Sequence, residues 1–362
     1  MNYELFHMNY KPILLAALTA FSTATVHAQT EVEPFIPGST LEGINYFLPR
    51  TALRVVVEME KTVIKPGELS KYAFNYLRLN NVPTSSSITY AIKGIQVESY
   101  GMVDKTKAYN VKVKSKTIAP LVTLTPDGLL LSINKEVEQP AMSAVPSNVE
   151  AAKIPNPRDF MSQEILKASS LSKMAELCAQ EIYDIRESRN ALVRGEADNL
   201  PKDGAQLKIM LDQLDLQANA LEQLFKGTTS RRTEYKVLYV CPEQEGESLL
   251  MRFSKKLGVV DNDDLAGAPI LLNITPVAPL PQTVNDEATE KKKAKMEKGI
   301  YYNVPVRERV VIHDGKQEYV RQEIPMGQFG TTEILSDVLF NKGTTTKVTF
   351  VPQTGGIERL EQ

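Results

Sequence analysis

The period of the apolar residues changes twice along this chain, and that change constrains the fold more than any other feature. Between residues 43 and 134 the period is two. Leu53, Val55, Val57 and Met59 alternate with Arg54, Val56, Glu58 and Glu60, and Tyr109, Val111 and Val113 alternate with Asn110, Lys112 and Lys114, as strands with one buried face do. Ile88, Tyr90 and Ile92 repeat the pattern, and Thr125-Pro-Asp-Gly128 between two apolar runs predicts a turn. From residue 171 to 225 the spacing becomes three and four. Leu171, Met174, Cys178, Ile182, Ile185 and Leu192 form one seam, and Leu207, Met210, Leu211, Leu214, Ala218, Leu221, Leu224 and Phe225 form another. Strand spacing returns over about 229–358, in Glu234–Cys241, Ser248–Phe253, Pro269–Thr275, Tyr301–Ile312, Gln317–Ile324 and Thr346–Val351. Such a chain is α+β: two mainly antiparallel, sandwich-like β units joined by a long antiparallel helical hairpin.

Local punctuation sets the expected boundaries: an N-terminal β-rich unit over 29–135, a linker over 136–156 marked by Pro140, Pro146 and Pro155, the hairpin over 157–228 and a second β-rich unit over 229–362. Gly195 to Asp203 contains Pro201 and separates the two helices, with Asp203 placed as an N-cap and Gly227 as a C-terminal stop. Within the first unit, Leu69, Tyr72, Ala73 and Tyr76 after Lys65-Pro66-Gly67 predict a single helix. Its Tyr72, Phe74 and Tyr76 suggest either an aromatic binding surface or, preferably, packing of the helix onto the sheet. His313-Asp-Gly-Lys316 predicts a hairpin turn. A Pro-rich and Lys/Glu-rich insert over 276–299 carries Lys291-Lys-Lys293, balanced by Asp286, Glu287, Glu290 and Glu297, and reads as a solvated linker or helical face rather than an anionic-surface contact.

The first 28 residues have the layout of a cleavable signal peptide: Lys11, then an apolar core over Ile13–Phe21, then Val26-His27-Ala28 before the expected cut. Met8-Asn-Tyr echoes Met1-Asn-Tyr, so Met8 is the expected start. With no Cys after the apolar core, lipid anchoring is not expected, and the exported chain belongs in the periplasm or at the outer-membrane surface.

Removal of that segment takes away Glu4 and Lys11 and leaves the formal net charge of −2 unchanged. This near-neutral balance argues against a nucleic-acid partner. His7 and His27 also leave, so His313 is the one remaining histidine, which excludes multi-histidine metal sites and histidine relays. Cys178 and Cys241 are the two cysteines. Export permits them to pair, but two buried thiols acting as small hydrophobes is the preferred reading.

Three arrangements carry weak chemical signals. Asp261, Asp263 and Asp264 offer oxygens to calcium without the glycine and distal glutamate of a calcium loop. Cys241 with His313 would make a nucleophile and base. A carboxylate pair would serve glycoside hydrolysis, although the chain has no Trp to stack on sugar. None assigns a catalytic, cofactor-binding or metal residue, and no cofactor is expected.

Several stretches are together similar to an uncharacterised exported family of Bacteroidetes known only as a domain of unknown function. They are Tyr46-Phe-Leu-Pro-Arg-Thr51 with Val57-Glu58, Lys65-Pro-Gly67 and Tyr72-Ala73 to Tyr76-Leu77; Ile185-Arg-Glu187, Gly195-Glu196, Asp203-Gly204 and Leu224-Phe-Lys-Gly227; and Pro325, Gly327-Gln-Phe-Gly330, Phe340 and Phe350-Val-Pro-Gln-Thr-Gly355. The resemblance implies a Gram-negative envelope protein and transfers no site residue. Arg186 and Glu187 read as hairpin salt-bridge residues before they read as a site. The expected function is non-catalytic binding or assembly with an envelope protein or glycan. A glycan- or peptide-binding module using a groove between the β units is the alternative, and a carboxylate hydrolase is a third.

Overall fold

A computed structural model describes residues 31–34, 43–112, 122–148, 154–201, 203–278, 299–336 and 346–361. The expected signal peptide, Val113 and Lys114, Phe340 and the Lys291–Lys293 run all fall outside these residues. In chain order the first strands are β1 (Glu31–Pro34), β2 (Ile44–Lys65), β3 (Ser87–Lys112), β4 (Val122–Leu124) and β5 (Leu130–Ile133). After the helices come β6 (Thr228–Val240), β7 (Gly246–Ser254), β8 (Gly258–Val260), β9 (Ala268–Pro276), β10 (Gly299–His313), β11 (Glu318–Ser336), β12 (Lys347–Phe350) and β13 (Ile357–Glu361). The helices are α1 (Ala73–Leu77), α2 (Gln163–Leu166), α3 (Leu171–Arg194) and α4 (Gly204–Lys226).

These strands form three antiparallel sheets, with orders β1-β3-β2-β6, β11-β10-β9-β7-β8 and β13-β12-β5-β4. The alternating residues fall as expected. Leu53, Val55, Val57 and Met59 are buried against Met251, Ile270, Leu272, Ile274, Val310 and Ile312 from the second sheet. A second core joins Tyr46, Leu48 and Val111 to Leu130, Ile133, Val348 and Phe350 of the third sheet, with Ile300 and Leu335.

The sheets do not follow the division at the linker. β6 pairs with β2 along thirteen residues, Leu53↔Val240 through Lys65↔Thr228, and β12 of the C-terminal stretch pairs with β5 of the N-terminal one. The two β-rich stretches therefore interleave. Ile88, Tyr90, Ile92, Tyr109 and Val111 belong to the single strand β3, and Ile88 at its start is exposed.

Helices α3 and α4 run antiparallel, as two cross-helix ion pairs show. Arg186 Nη2 lies 2.6 Å from Glu222 Oε1, and Arg189 Nε lies 2.7 Å from Asp215 Oδ1. Asp203 caps α4 by accepting from the Ala205 N–H at 3.0 Å, and Gly195 and Gly227 end α3 and α4. Cys178, Ile182, Ile185, Leu221, Leu224 and Phe225 share one core with Leu69 and Ala73, against which Tyr72 and Tyr76 also pack. The tyrosines of the short helix thus pack on the helical layer, not on the sheet as expected. Toward the hairpin tip the seam opens to solvent, with Ile209 62 % and Met210 42 % exposed.

Two junctions hold the sheets and helices in register. At the first, the chain leaving β2 meets the end of α4: the Leu69 N–H donates to the Leu224 carbonyl at 2.7 Å, and Gly67 packs so close that a Cβ there would lie 2.1 Å from the same oxygen. At the second, fully buried Asn303 on β10 donates through Nδ2 to the Pro49 and Thr354 carbonyls, both at 2.9 Å, while its backbone N–H donates to Gly355. Fully buried Thr51 donates to the Gln353 carbonyl at 2.9 Å and accepts from the Gly327 N–H at 3.0 Å. Gln328 brackets the same residue, accepting from the Thr51 N–H and donating to its carbonyl.

Removal of a side chain that satisfies several buried carbonyls leaves each unpaired. Asn303→Ala should lower unfolding free energy by about 3 kcal/mol in urea titrations, whereas Asn262→Ala, on an exposed turn, should change it by less than about 0.5 kcal/mol. Cys178 and Cys241 are both free, so the denatured, unreduced protein should titrate as two thiols.

Candidate functional site

A groove of about 930 Å³ runs along β3 beside Glu98–Val103, with Phe47, Tyr100, Met102, Leu129, Met142 and Pro352 among its lining residues. It exists because β3 has two different edges there. One edge is paired to β2, Val55↔Val97 through Pro49↔Val103. The other carries β1, but only over Tyr109–Lys112. Between Ala108 and Val103 the β2 register slips, and Asp104–Lys107 bulges out of the ladder. Bulges of this kind end pairing and redirect a strand next to functional surfaces.

The walls come from loops on opposite faces of the sheet. On one face, Glu98 stands across from Arg54, and both hold the linker. The Arg54 guanidinium, buried to 6 % exposure, bonds the Glu98 carboxylate and donates to the Ser143 carbonyl at 2.8 Å. The Ser143 N–H and hydroxyl each donate to Glu98 Oε1 at 3.3 Å. Burial alone would raise the Glu98 carboxyl, yet the Ser143 N–H and Arg54 hold it below its ordinary range. Gln139–Met142 is thereby fixed as a wall. On the other face, Gly101 lets the C-terminal loop approach its backbone: a Cβ there would lie 2.1 Å from the Pro352 carbonyl oxygen and 3.0 Å from Leu129. Met102 is 38 % and Met142 47 % exposed, so the groove offers apolar surface to an incoming molecule.

The residues singled out by their chemistry do not assemble. His313 is shielded rather than fully exposed at its turn: its Nε2 lies 3.3 Å from Glu247 Oε2 and its Nδ1 accepts from the Gly315 N–H. The charged neighbours of Cys241 are Arg50, Glu243 and Asp104, and burial pushes its thiol up, away from a nucleophilic thiolate. Among the described residues no hydrogen bond joins that thiol to the imidazole. Cys178, buried in the helical core, has its thiol pushed up to about 11 by burial. Asp261 and Asp263 are exposed, and Asp264 accepts from the Ala266 N–H at 2.8 Å, as a turn residue does. Among the described residues no group of three or more His, Cys, Asp or Glu could hold a metal ion. Arg186 is spent on Glu222, which also bonds Lys226, and Glu187 is exposed.

One buried acid lay beyond sequence reasoning. Glu308 on β10 is fully buried, and among the described residues neither carboxylate oxygen has a hydrogen-bond partner. It sits on the face of β10 that carries Val310 and Ile312 into the core, between Pro276 and Ile324 on the flanking strands. Burial first, and the charge of Glu245 second, push its carboxyl up to about 7.

Groove residues such as Tyr100 and Met102 carried one faint signal, large apolar side chains on the solvent-facing positions of a strand. Their other wall, Pro140 to Met142, read only as linker composition.

The fold and groove define an antiparallel β protein carrying a helical hairpin, with an apolar slot beside a strand edge that no described strand pairs with. The family model described as a domain of unknown function, DUF4831, matches residues 42–358, and the chain belongs to that family. No curated protein and no solved structure matches it. Among the described residues no helix is long and apolar enough to cross a membrane.

For Glu308 the folded protein holds a proton that the unfolded chain releases near the ordinary value of 4.5. The contribution of Glu308 to stability should therefore be greatest below that pH, fall as pH rises toward about 7, and level off above it. In urea titrations across this range, Glu308→Gln should flatten the profile and be more stable than the parent at alkaline pH by on the order of 2–3 kcal/mol.

Proposed function

We propose that this protein is exported to the cell envelope and acts there without catalysis, by binding another macromolecule in the groove beside β3. The observation that carries the reading is the groove itself: an apolar slot whose walls are pinned by the Arg54–Glu98–Ser143 clamp on one side and by the Pro352–Gly101 contact on the other. Sites of this volume with mostly apolar linings are the usual form of a binding site. The signal-like segment over residues 1–28 and the resemblance to exported Bacteroidetes proteins support the envelope as its place of action. The interleaved, sandwich-like sheets with their hairpin supply a frame that holds the groove walls fixed.

A protein partner is favoured over a glycan. The tyrosine of the groove lining, Tyr100, is met edge-on by Tyr239 at 5.9 Å and so is not a bare platform for a sugar ring, while Tyr109 is stacked between Tyr301 at 4.3 Å and Tyr46 at 5.6 Å, outside the groove. A photo-crosslinking amino acid placed at Met102 and activated in intact envelopes should give one discrete protein adduct, absent when the probe is placed at Asn262. No specific protein neighbour from position 102 would refute the reading.

A further inference from the structure

We infer that the groove takes an extended segment of a partner polypeptide as an added strand, paired backbone to backbone with the open edge of β3 over Glu98–Val103; this rests on the reading that the groove binds a macromolecule. A strand edge presents alternate N–H and C=O groups that need partners. Over Glu98–Val103 only the β2 side of the strand is in a ladder among the described residues, and no backbone hydrogen bond joins Gln139–Met142 to it. The linker backbone at Ser143 is held by the side chains of Glu98 and Arg54, so among the described residues no backbone pairs with the edge itself.

The slot lies in the plane of the sheet. Tyr100, opposite Ala52, points to the face of Arg54 and Glu98, where the linker is clamped. Gly101, opposite Thr51, points to the face where Pro352 and Gln353 sit. A segment entering between these walls would lie where the next strand of the sheet belongs. It would also lie on the edge that β1 already occupies beyond the bulge, so the pairing continues an existing interface. Side chains of such a segment alternate between the two walls, apolar ones meeting Tyr100, Met102 and Met142.

The opposite edge of the same sheet is treated differently. β6 carries Arg231, Arg232 and Lys236, charges that discourage strand addition. Its Tyr235 N–H is already accepted by Asn148 Oδ1 at 2.9 Å. The five residues Ser99-Tyr-Gly-Met-Val103 carry neither charge nor proline. Among the described residues, one edge is guarded and the other is open between two walls.

The test uses a displayed random dodecapeptide library selected on the whole folded protein. The strongest binder is then made in two versions, N-methylated at its odd or its even positions within the binding stretch. A strand presents alternate N–H groups to a single neighbour, so one version should lose about tenfold or more in affinity while the other binds nearly as the parent does. Backbone amides within 99–103 should gain hydrogen-exchange protection with the parent peptide. Met142→Asp, on an exposed wall outside the core, should weaken binding by about tenfold or more. Equal binding of both methylated versions would overturn strand addition while leaving binding at the groove intact. Failure to select any peptide overturns it too, and groove protection by soluble oligosaccharides in that case would assign the site to a glycan. Loss of the discrete adduct at Met102 would instead remove the underlying reading of a protein partner.

Discussion

The carboxamide of Asn303 ties together segments that the chain brings in from three distant places. Its Nδ2 serves the Pro49 carbonyl, 254 positions earlier, and the Thr354 carbonyl, 51 positions later. Pro49 sits beside the slip in the β2–β3 register and Thr354 in a loop, and each carbonyl would lose a buried donor in its absence. The loop it holds closes on itself, with Val351 donating to Gly356 and both Thr354 and Gly355 donating to Val351. That loop then bonds Thr51 on β2, while Gln328 on β11 brackets the same threonine. Strands at the beginning and end of the family domain are therefore held by polar bonds whose geometry tolerates little drift, and the apolar sheets pack around a fixed point. Gly327 is part of this constraint, because a Cβ there would lie 2.4 Å from the Thr354 carbonyl oxygen.

Much of the local structure was legible in the sequence because its causes are local. Alternation at Leu53–Met59 specifies which face is buried, Asp203 caps a helix with its own side chain, and the Asp-Gly pair after His313 closes the hairpin of β10 and β11. What alternation does not specify is the neighbour. A half-buried strand such as β6 reads the same beside β7 as beside β2, and its place beside β2 follows from the helical hairpin returning the chain to where it left β2. Gly67 against the Leu224 carbonyl and Gly227 against the Lys65 carbonyl mark that return. Tyr72 and Tyr76 were placed on the wrong layer for the same reason: helical spacing gives them a common face without saying what covers it.

The stretches that carry the family resemblance gain a physical meaning from this arrangement. Pro49 to Thr51, Gly327 to Gly330 and Val351 to Gly355 are far apart in sequence and meet at the Asn303 junction, while Lys65-Pro-Gly67 and Leu224 to Gly227 meet at the other. These are joints, positions where backbone approaches backbone and where glycine or a buried amide is required by contact distance. Arg186 is structural as well, in keeping with its reading from the sequence as a hairpin salt-bridge residue before a site. Its bond to Glu222, shared with Lys226, compensates an acid that burial would otherwise raise. Glu308 is the contrast, a buried acid given no such partner.

The joint and the groove are one construction. Lys107, within the stretch where β3 bulges away from β2, donates to Thr332 at 3.0 Å and to the Asn303 side-chain oxygen at 3.4 Å. The bulge is thereby held to the same carboxamide that fixes the C-terminal loop. On one side of it β3 is covered by β1; on the other no strand pairs with that edge among the described residues, and Pro352 from the loop supports one wall. A regular β3 would carry a single edge along its full length, with nothing to separate the part that β1 fills from the part that stays open. The buried amide that holds the sheets in register thus also anchors the break in β3 beyond which the groove opens.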